Sequence, residues 1–96
     1  MSDRSDDLPR YVISVAARLS GVSPHTLRSY EKAGLIRPYR TKGNIRLYSN
    51  RDIRRIRQIA ELSKQGVNYS GIKLILEMRE SQALKGENGR MSSFPA

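Results

Sequence analysis

Residues 20–36 read SGVSPHTLRSYEKAGLI, and this stretch carries the start and end signals of one short helix. Ser23 is a favoured N-cap residue, and Pro24 suits the first helical position, where its missing N–H leaves no hydrogen bond unmade. Gly34 is typical of the residue just after a helix, because glycine readily adopts the left-handed conformation found there. The stretch therefore predicts a helix over residues 24–32.

A second short helix precedes this one. Ser14 stands just before the helix-forming run VAARL, and the SGV that follows stops it, which predicts a helix near residues 14–20. Two short helices joined by SGVS fit a helix-turn-helix, in which the second helix enters the major groove of DNA and the first braces it.

The predicted second helix has an apolar and a polar side. Leu27 and Tyr30 lie at helical spacing and point to a core. The polar side carries short side chains and one long cation: Ser23, His25, Thr26, Arg28 and Ser29. Such a surface can approach base edges closely and so favours DNA reading. An ordinary solvated helix face is the alternative for this segment alone.

The rest of the chain predicts a β-hairpin and two further helices. Residues 35–49 alternate weakly around TKGN, which is typical of a hairpin, here called the wing. Ser49 and Asp52 resemble a capping box that opens a third helix, and Gly66 closes it. Ser70 opens a fourth helix. The apolar stripe of the third helix comprises Ile53, Ile56, Ile59, Ala60 and either Leu62 or Ser63.

These elements predict a mainly α fold with a small β-hairpin, a winged helix-turn-helix of four helices over residues 11–79. Residues 1–10 are polar and lack an apolar pattern, which predicts a flexible N-terminal tail. Residues 80–96 predict a short helical extension and, after Leu84, a disordered tail. Because the segment from about Glu77 to Lys85 offers only Met78 and Leu84 as apolar anchors, we expect weak self-association in free solution.

Composition limits the function. The 96 residues carry 18 Lys and Arg against 9 Asp and Glu, and this net charge of +9 favours an anionic partner, nucleic acid before a membrane surface. Because the sequence has no cysteine and one histidine, neither a metal nor another cofactor is expected. No apolar run reaches the roughly 18 residues that span a bilayer. Since no signal peptide is recognisable either, we expect a soluble, intracellular protein. The sequence shows no set of catalytic residues, so we do not expect an enzyme.

Most of the excess charge lies in one segment. Residues 37–57 contain seven arginines and Lys42 against the single acid Asp52, a net charge of +7. A charge run is often only a solvated face, but this one adjoins the helix-turn-helix and includes the TKGN tip. It therefore predicts contacts to the DNA backbone. The arginines are Arg37, Arg40, Arg46, Arg51, Arg54, Arg55 and Arg57.

Residues 11–76 resemble the DNA-binding domain of the MerR family of bacterial transcription regulators. The motifs that carry the resemblance are TLRSYEKAGLI, RLYS followed by the acidic helix start at Asp52, and QGVNYSGIK. The last motif and YVISVAA resemble the heat-shock repressor (HspR) branch more than other branches, although the glutamine-synthetase repressor branch has a similar QGVN segment. The resemblance implies a winged helix-turn-helix of the MerR type that binds an inverted repeat of double-stranded DNA as a dimer.

The resemblance also implies roles for individual residues. Those expected to read base edges are His25 and Arg28, and those expected near the DNA backbone are Thr26, Ser29 and Tyr30. The matching wing residues, expected along phosphates or the flanking minor groove, are Arg40, Lys42, Asn44 and Arg46, with Tyr48 at the base of the wing. Packing in the core is the alternative for Tyr30 and Tyr48. Many relatives have Tyr-Tyr where this chain has Ser29-Tyr30.

The likeness to the heat-shock branch implies a repressor of chaperone genes in the bacterial cytoplasm, associated with the nucleoid, with an Hsp70-type chaperone as co-repressor. The homodimer would be weak in free solution and form on DNA, and no membrane partner is expected. Two alternatives remain. One is a nitrogen-regulator-like repressor of the same family, and the other is a DNA-architectural or excisionase-type accessory protein, which would show a small specificity ratio.

Overall fold

The computed structural model describes residues 4–89, with side chains described from residue 5 to residue 82. Within this range, four α-helices and one antiparallel two-stranded sheet follow one another along the chain. Their bounds are Ile13–Ser20 (α1), Pro24–Lys32 (α2), Tyr39–Arg40 (β1), Arg46–Leu47 (β2), Asn50–Lys64 (α3) and Tyr69–Gly89 (α4). The predicted mainly α fold with a small hairpin is confirmed.

The local signals around α2 act as the sequence predicts. The Ser23 hydroxyl oxygen accepts a hydrogen bond from the backbone N–H of Thr26 at 3.1 Å, and Pro24 lies in the first turn. In the turn between α1 and α2, Gly21 adopts a φ of 76°, which glycine does without the steric cost that other residues meet. α1 begins at Ile13, slightly earlier than predicted, and has no side-chain cap.

The wing is a short antiparallel hairpin with a tight tip. Its paired residues are Tyr39 with Leu47 and Arg40 with Arg46. At the tip, Asn44 adopts a positive φ of 65°, a conformation that asparagine enters more often than most residues. The Asn44 N–H donates to the Thr41 carbonyl at 2.8 Å, and the Thr41 N–H donates to the Ile45 carbonyl at 3.0 Å. These bonds close the turn.

α3 forms the middle of the core. The predicted capping box is confirmed, since the Ser49 hydroxyl accepts from the Asp52 N–H at 3.0 Å and the Asp52 carboxylate accepts from the Ser49 N–H at 2.9 Å. The three isoleucines of the stripe are buried, Ala60 is partly buried, and Leu62 rather than Ser63 completes the stripe. The largest fully buried side chains are Leu27, Leu35, Tyr48, Ile56, Ile59, Ile72 and Leu76. The core therefore joins α2, the base of the wing, α3 and α4.

α4 is longer than the sequence predicts. It spans Tyr69–Gly89 and so continues beyond Leu84, where the sequence predicts the end of regular structure. The glycine at position 86 lowers helix propensity by about 1 kcal/mol relative to alanine, but a single glycine does not by itself end a helix. The remainder of the predicted tail, residues 90–96, lies outside the described residues.

The segment before α1 contains regular structure where the sequence predicts none. Arg4–Asp7 form a 3-10 helix that lies against α3. Asp6 pairs with Arg54 at 3.0 Å, and Asp7 pairs with Arg51 at 3.1 Å. These partners are more than 40 residues away in the sequence, so no local pattern indicates them. The first three residues of the predicted tail lie outside the described range.

Candidate nucleic-acid interface

α2 presents the polar side that the sequence predicts. His25 and Arg28 are exposed to solvent, and Ser29 is half-buried. On the opposite side Leu27 is fully buried and Tyr30 is 3% exposed. Arg28 has no hydrogen-bond or ion-pair partner among the described residues. The imidazole of His25 and the guanidinium of Arg28 are thus available to another molecule.

Ser23 and Thr26 hold each other at the start of α2. The Ser23 hydroxyl donates to the Thr26 hydroxyl oxygen at 3.0 Å while it accepts from the Thr26 backbone N–H. The start of a helix carries partial positive charge from its backbone N–H groups, which favours an anion such as a phosphate. The Ser23 hydroxyl therefore caps the helix, and the Thr26 hydroxyl accepts from it at the end of α2 that favours an anion.

Two of the predicted wing cations are paired within the chain. The Arg46 Nε donates to the Glu31 carboxylate at 2.7 Å, and an Arg40 terminal nitrogen donates to the same carboxylate at 3.1 Å. Arg40 also donates to the Asn44 side-chain oxygen at 3.0 Å. These contacts attach the wing to the last turns of α2. Arg40 and Arg46 can bind DNA without losing these contacts only through the guanidinium nitrogens that the contacts do not use.

Glu31 is the residue of this region to which the sequence assigned no role. It lies nine residues from Arg40 and 15 from Arg46, so neither pair falls in a recognisable local motif. The sequence held one signal, because Glu31 is the only acidic residue between Asp7 and Asp52. A lone carboxylate within such a basic stretch indicates an internal partner for some of the arginines.

Lys42 and Arg37 are two exposed cations of the wing. Neither has a partner among the described residues. Lys42 follows Thr41 in the turn at the tip, and its flexible ammonium group acts as a point charge that suits a phosphate. The tip of the wing therefore keeps a free positive charge.

The remaining arginines of the basic run contact the protein itself. Arg55 donates to the Leu35 carbonyl at 2.7 Å, which fastens the segment after α2 to α3. Arg57 donates to the Leu19 carbonyl at 2.7 Å near the end of α1. The other two arginines of α3 pair with the N-terminal aspartates described above. Six of the seven arginines of the run thus have partners among the described residues, and Arg37 does not.

The two tyrosines that the resemblance placed at the DNA surface lie in the core. Tyr48 is 0% exposed, and Tyr30 packs edge to face against Tyr69 with ring centroids 5.7 Å apart. Burial raises the pKa of both Tyr30 and Tyr48 above the ordinary value, and Tyr69 adds to the rise at Tyr30. A buried ring cannot reach a phosphate in this arrangement, so the packing alternative describes both residues. Tyr69 itself is 37% exposed.

Replacing Tyr48 with phenylalanine is expected to leave the free energy of unfolding unchanged or to raise it by up to about 1 kcal/mol. The Tyr48 hydroxyl is buried and has no hydrogen-bond partner among the described residues, so its removal breaks no bond in the structure. Urea denaturation of both proteins measures the difference. A loss of stability of about 1 kcal/mol or more would show that the hydroxyl is hydrogen-bonded. A loss of DNA affinity would return Tyr48 to the binding surface.

Across residues 4–89, no helix combines the length and apolar character needed to cross a bilayer. In the same range, no three His, Cys, Asp or Glu side chains come together in a way that would hold a metal ion.

Comparison with known proteins places this arrangement in one family. A profile described as MerR HTH family regulatory protein matches residues 11–79. The heat shock protein HspR of Streptomyces coelicolor is 51% identical over 80 residues, which are 82% of this chain and 53% of that protein. The HTH-type transcriptional regulator GlnR of Bacillus anthracis is 38% identical over 82 residues, which are 85% of this chain and 64% of that protein. The chain thus spans less than two thirds of the length of either relative.

A solved structure has the same fold. HiNmlR, described as a MerR family regulator lacking the sensor domain, was solved bound to promoter DNA. It matches this chain with a TM-score of 0.62 at 29% identity, over 70% of this chain and 54% of its own.

Proposed function

The chain belongs to the MerR HTH family of regulatory proteins, and we propose that it is a transcription regulator that binds double-stranded DNA sequence-specifically. The observation that carries the proposal is the exposure of His25 and Arg28 on the outward side of α2, next to a wing with exposed Lys42. A helix with such a side fits the major groove, where each base pair presents its own pattern of donors and acceptors. The promoter DNA bound to HiNmlR supports this proposal.

The site residues divide into two groups in this proposal. His25 and Arg28 read base edges, and an arginine suits guanine because it can donate two parallel hydrogen bonds to O6 and N7. Ser23, Thr26 and Lys42 contact phosphates, which fix the position of the protein but carry no direct sequence information. Arg40 and Arg46 contribute to DNA binding only through the nitrogens that Glu31 leaves free.

For the target, the heat-shock branch has the stronger support. The chain is 51% identical to HspR over 80 residues. In this proposal it represses chaperone genes in the bacterial cytoplasm, at the nucleoid, and an Hsp70-type chaperone acts as co-repressor. A nitrogen-regulator-like repressor is the alternative within the family, and the 38% identity to GlnR is the observation in its favour.

Sequencing of genomic fragments that the tagged protein retains at moderate salt tests the function. The expected result is a shared inverted repeat in the recovered fragments, located upstream of chaperone genes. Recovery of nitrogen-metabolism promoters would favour the alternative target. Fragments that share no sequence would contradict specific recognition and favour an architectural protein, whose specificity ratio is small.

In free solution we expect a monomer or a weak dimer, which becomes a dimer on an inverted repeat because each half-site needs one helix-turn-helix. The exposed large apolar side chains described on α4 beyond its first turn are Leu74 and Met78. The apolar area that these two side chains could bury would contribute little free energy compared with the roughly several kcal/mol that association costs. Analytical ultracentrifugation with and without a duplex of two half-sites measures the assembly. A tight dimer at nanomolar concentration without DNA would contradict the expectation.

A further inference from the structure

One carboxylate connects the two elements of the candidate interface. Glu31 lies near the end of α2, and its side chain is 23% exposed. One of its oxygens accepts from the Arg46 Nε at 2.7 Å, and the other accepts from Arg40 at 3.1 Å. Since Arg40 is on β1 and Arg46 is on β2, the carboxylate binds both strands of the wing.

The contacts continue from Glu31 to the tip of the wing. Arg40 uses its second terminal nitrogen to donate to the Asn44 side-chain oxygen at 3.0 Å and to the Asn44 carbonyl at 3.4 Å. Asn44 has the positive φ that shapes the turn. A continuous set of ion pairs and hydrogen bonds therefore runs from α2 to the turn that carries Lys42.

The network is more than a single surface ion pair. Exposed pairs contribute little because water screens them. Here the side chains of Glu31 and Arg46 are buried to about three quarters of their area, and that of Arg40 to about two thirds. Burial pushes the pKa of the Glu31 carboxyl up, yet the hydrogen bonds and charges of Arg46 and Arg40 outweigh it and leave that pKa below its ordinary value. Glu31 is therefore ionised at neutral pH and holds both arginines.

We propose that Glu31 is a positioning residue that sets the placement of the wing relative to α2 and thereby increases discrimination between operator and random DNA. This inference rests on the proposed sequence-specific binding. A helix in the major groove and a wing on the flanking backbone contact one duplex together only at the correct separation. Electrostatics alone predicts a different result: a carboxylate beside a DNA-binding surface repels phosphates, so its removal should strengthen binding to both duplexes equally and leave the ratio of the two affinities unchanged.

The test compares Glu31→Gln, Glu31→Asp and wild type in binding to an operator duplex and to a scrambled duplex at one salt concentration. For Glu31→Gln we expect the ratio of the two affinities to fall about tenfold, within the range for residues coupled in one ion-pair network. Affinity for the scrambled duplex should stay the same or rise. Glu31→Asp keeps the charge but is one methylene shorter, so it should also lower the ratio.

Glu77→Gln is the matched control, because Glu77 is exposed on α4 and its replacement removes the same charge from the chain. It should leave the ratio at the wild-type value, and thermal melts followed by circular dichroism should show that all variants are folded. Equal gains of affinity for both duplexes in Glu31→Gln, or a wild-type ratio in Glu31→Asp, would overturn the positioning role. A wild-type protein that does not discriminate would instead refute the proposed function.

Discussion

Replacing Ile56 with alanine is expected to lower the free energy of unfolding by about 2 to 5 kcal/mol, the usual range for a buried isoleucine. Ile56 is 0% exposed and lies in the middle of the apolar stripe of α3. The change removes apolar contacts and leaves a cavity that neighbouring side chains fill only in part. Because domains of this size have about 5 to 15 kcal/mol of stability in total, much of it would be lost. Urea denaturation measures the change.

Leu74→Ala is the control for this prediction. Leu74 is 57% exposed on α4, so its truncation should change the free energy of unfolding by only about 0.5 kcal/mol. Equal losses at the two positions would mean that the core is not centred on α3. A loss confined to Leu74→Ala would mean that the outward side of α4 is covered by a contact between chains.

Replacing Arg28 with alanine is expected to reduce discrimination between operator and random DNA by about 1 to 3 kcal/mol, the contribution of one bidentate base contact. Arg28 is exposed on α2 and has no partner among the described residues, so the change should not alter the fold. Competition binding at fixed salt measures both affinities. The free energy of unfolding, measured in parallel, should be close to that of the wild type.

Lys42→Ala is the matched variant, because it also removes one exposed positive charge with no internal partner among the described residues. It should weaken binding to operator and random DNA about equally, since a phosphate contact carries no sequence information. If Arg28→Ala instead lowers both affinities in parallel, Arg28 is a phosphate contact. Base reading would then belong to His25 and Thr26.

Local sequence signals predicted the helix-turn-helix and the capped start of α3. Ser23 and Pro24 define the start of α2, and Ser49 with Asp52 defines the start of α3, because in each case the interacting groups are within three residues of each other. Spacing also predicted the burial of Leu27. These features depend on backbone geometry that a few neighbouring residues determine.

Contacts between distant residues could not be predicted in the same way. The basic run had the composition of a phosphate-binding surface, but six of its seven arginines bind carboxylates or backbone carbonyls that come close only in the folded chain. Tyr48 directly follows β2, and the sequence left both a place at the DNA surface and a place in the core open for it. The bridge between Tyr11 and Tyr48 and the surrounding core hold it inside.

The ratio of affinities for an operator duplex and a scrambled duplex, measured by salt-matched competition at several salt concentrations, tests sequence-specific recognition most directly. We predict a ratio of at least about a thousandfold at physiological salt. We also predict that affinity for both duplexes falls as salt rises, with a slope of roughly 0.9 in log units for each phosphate contacted. A ratio near one at every salt concentration would contradict recognition through α2 and the wing.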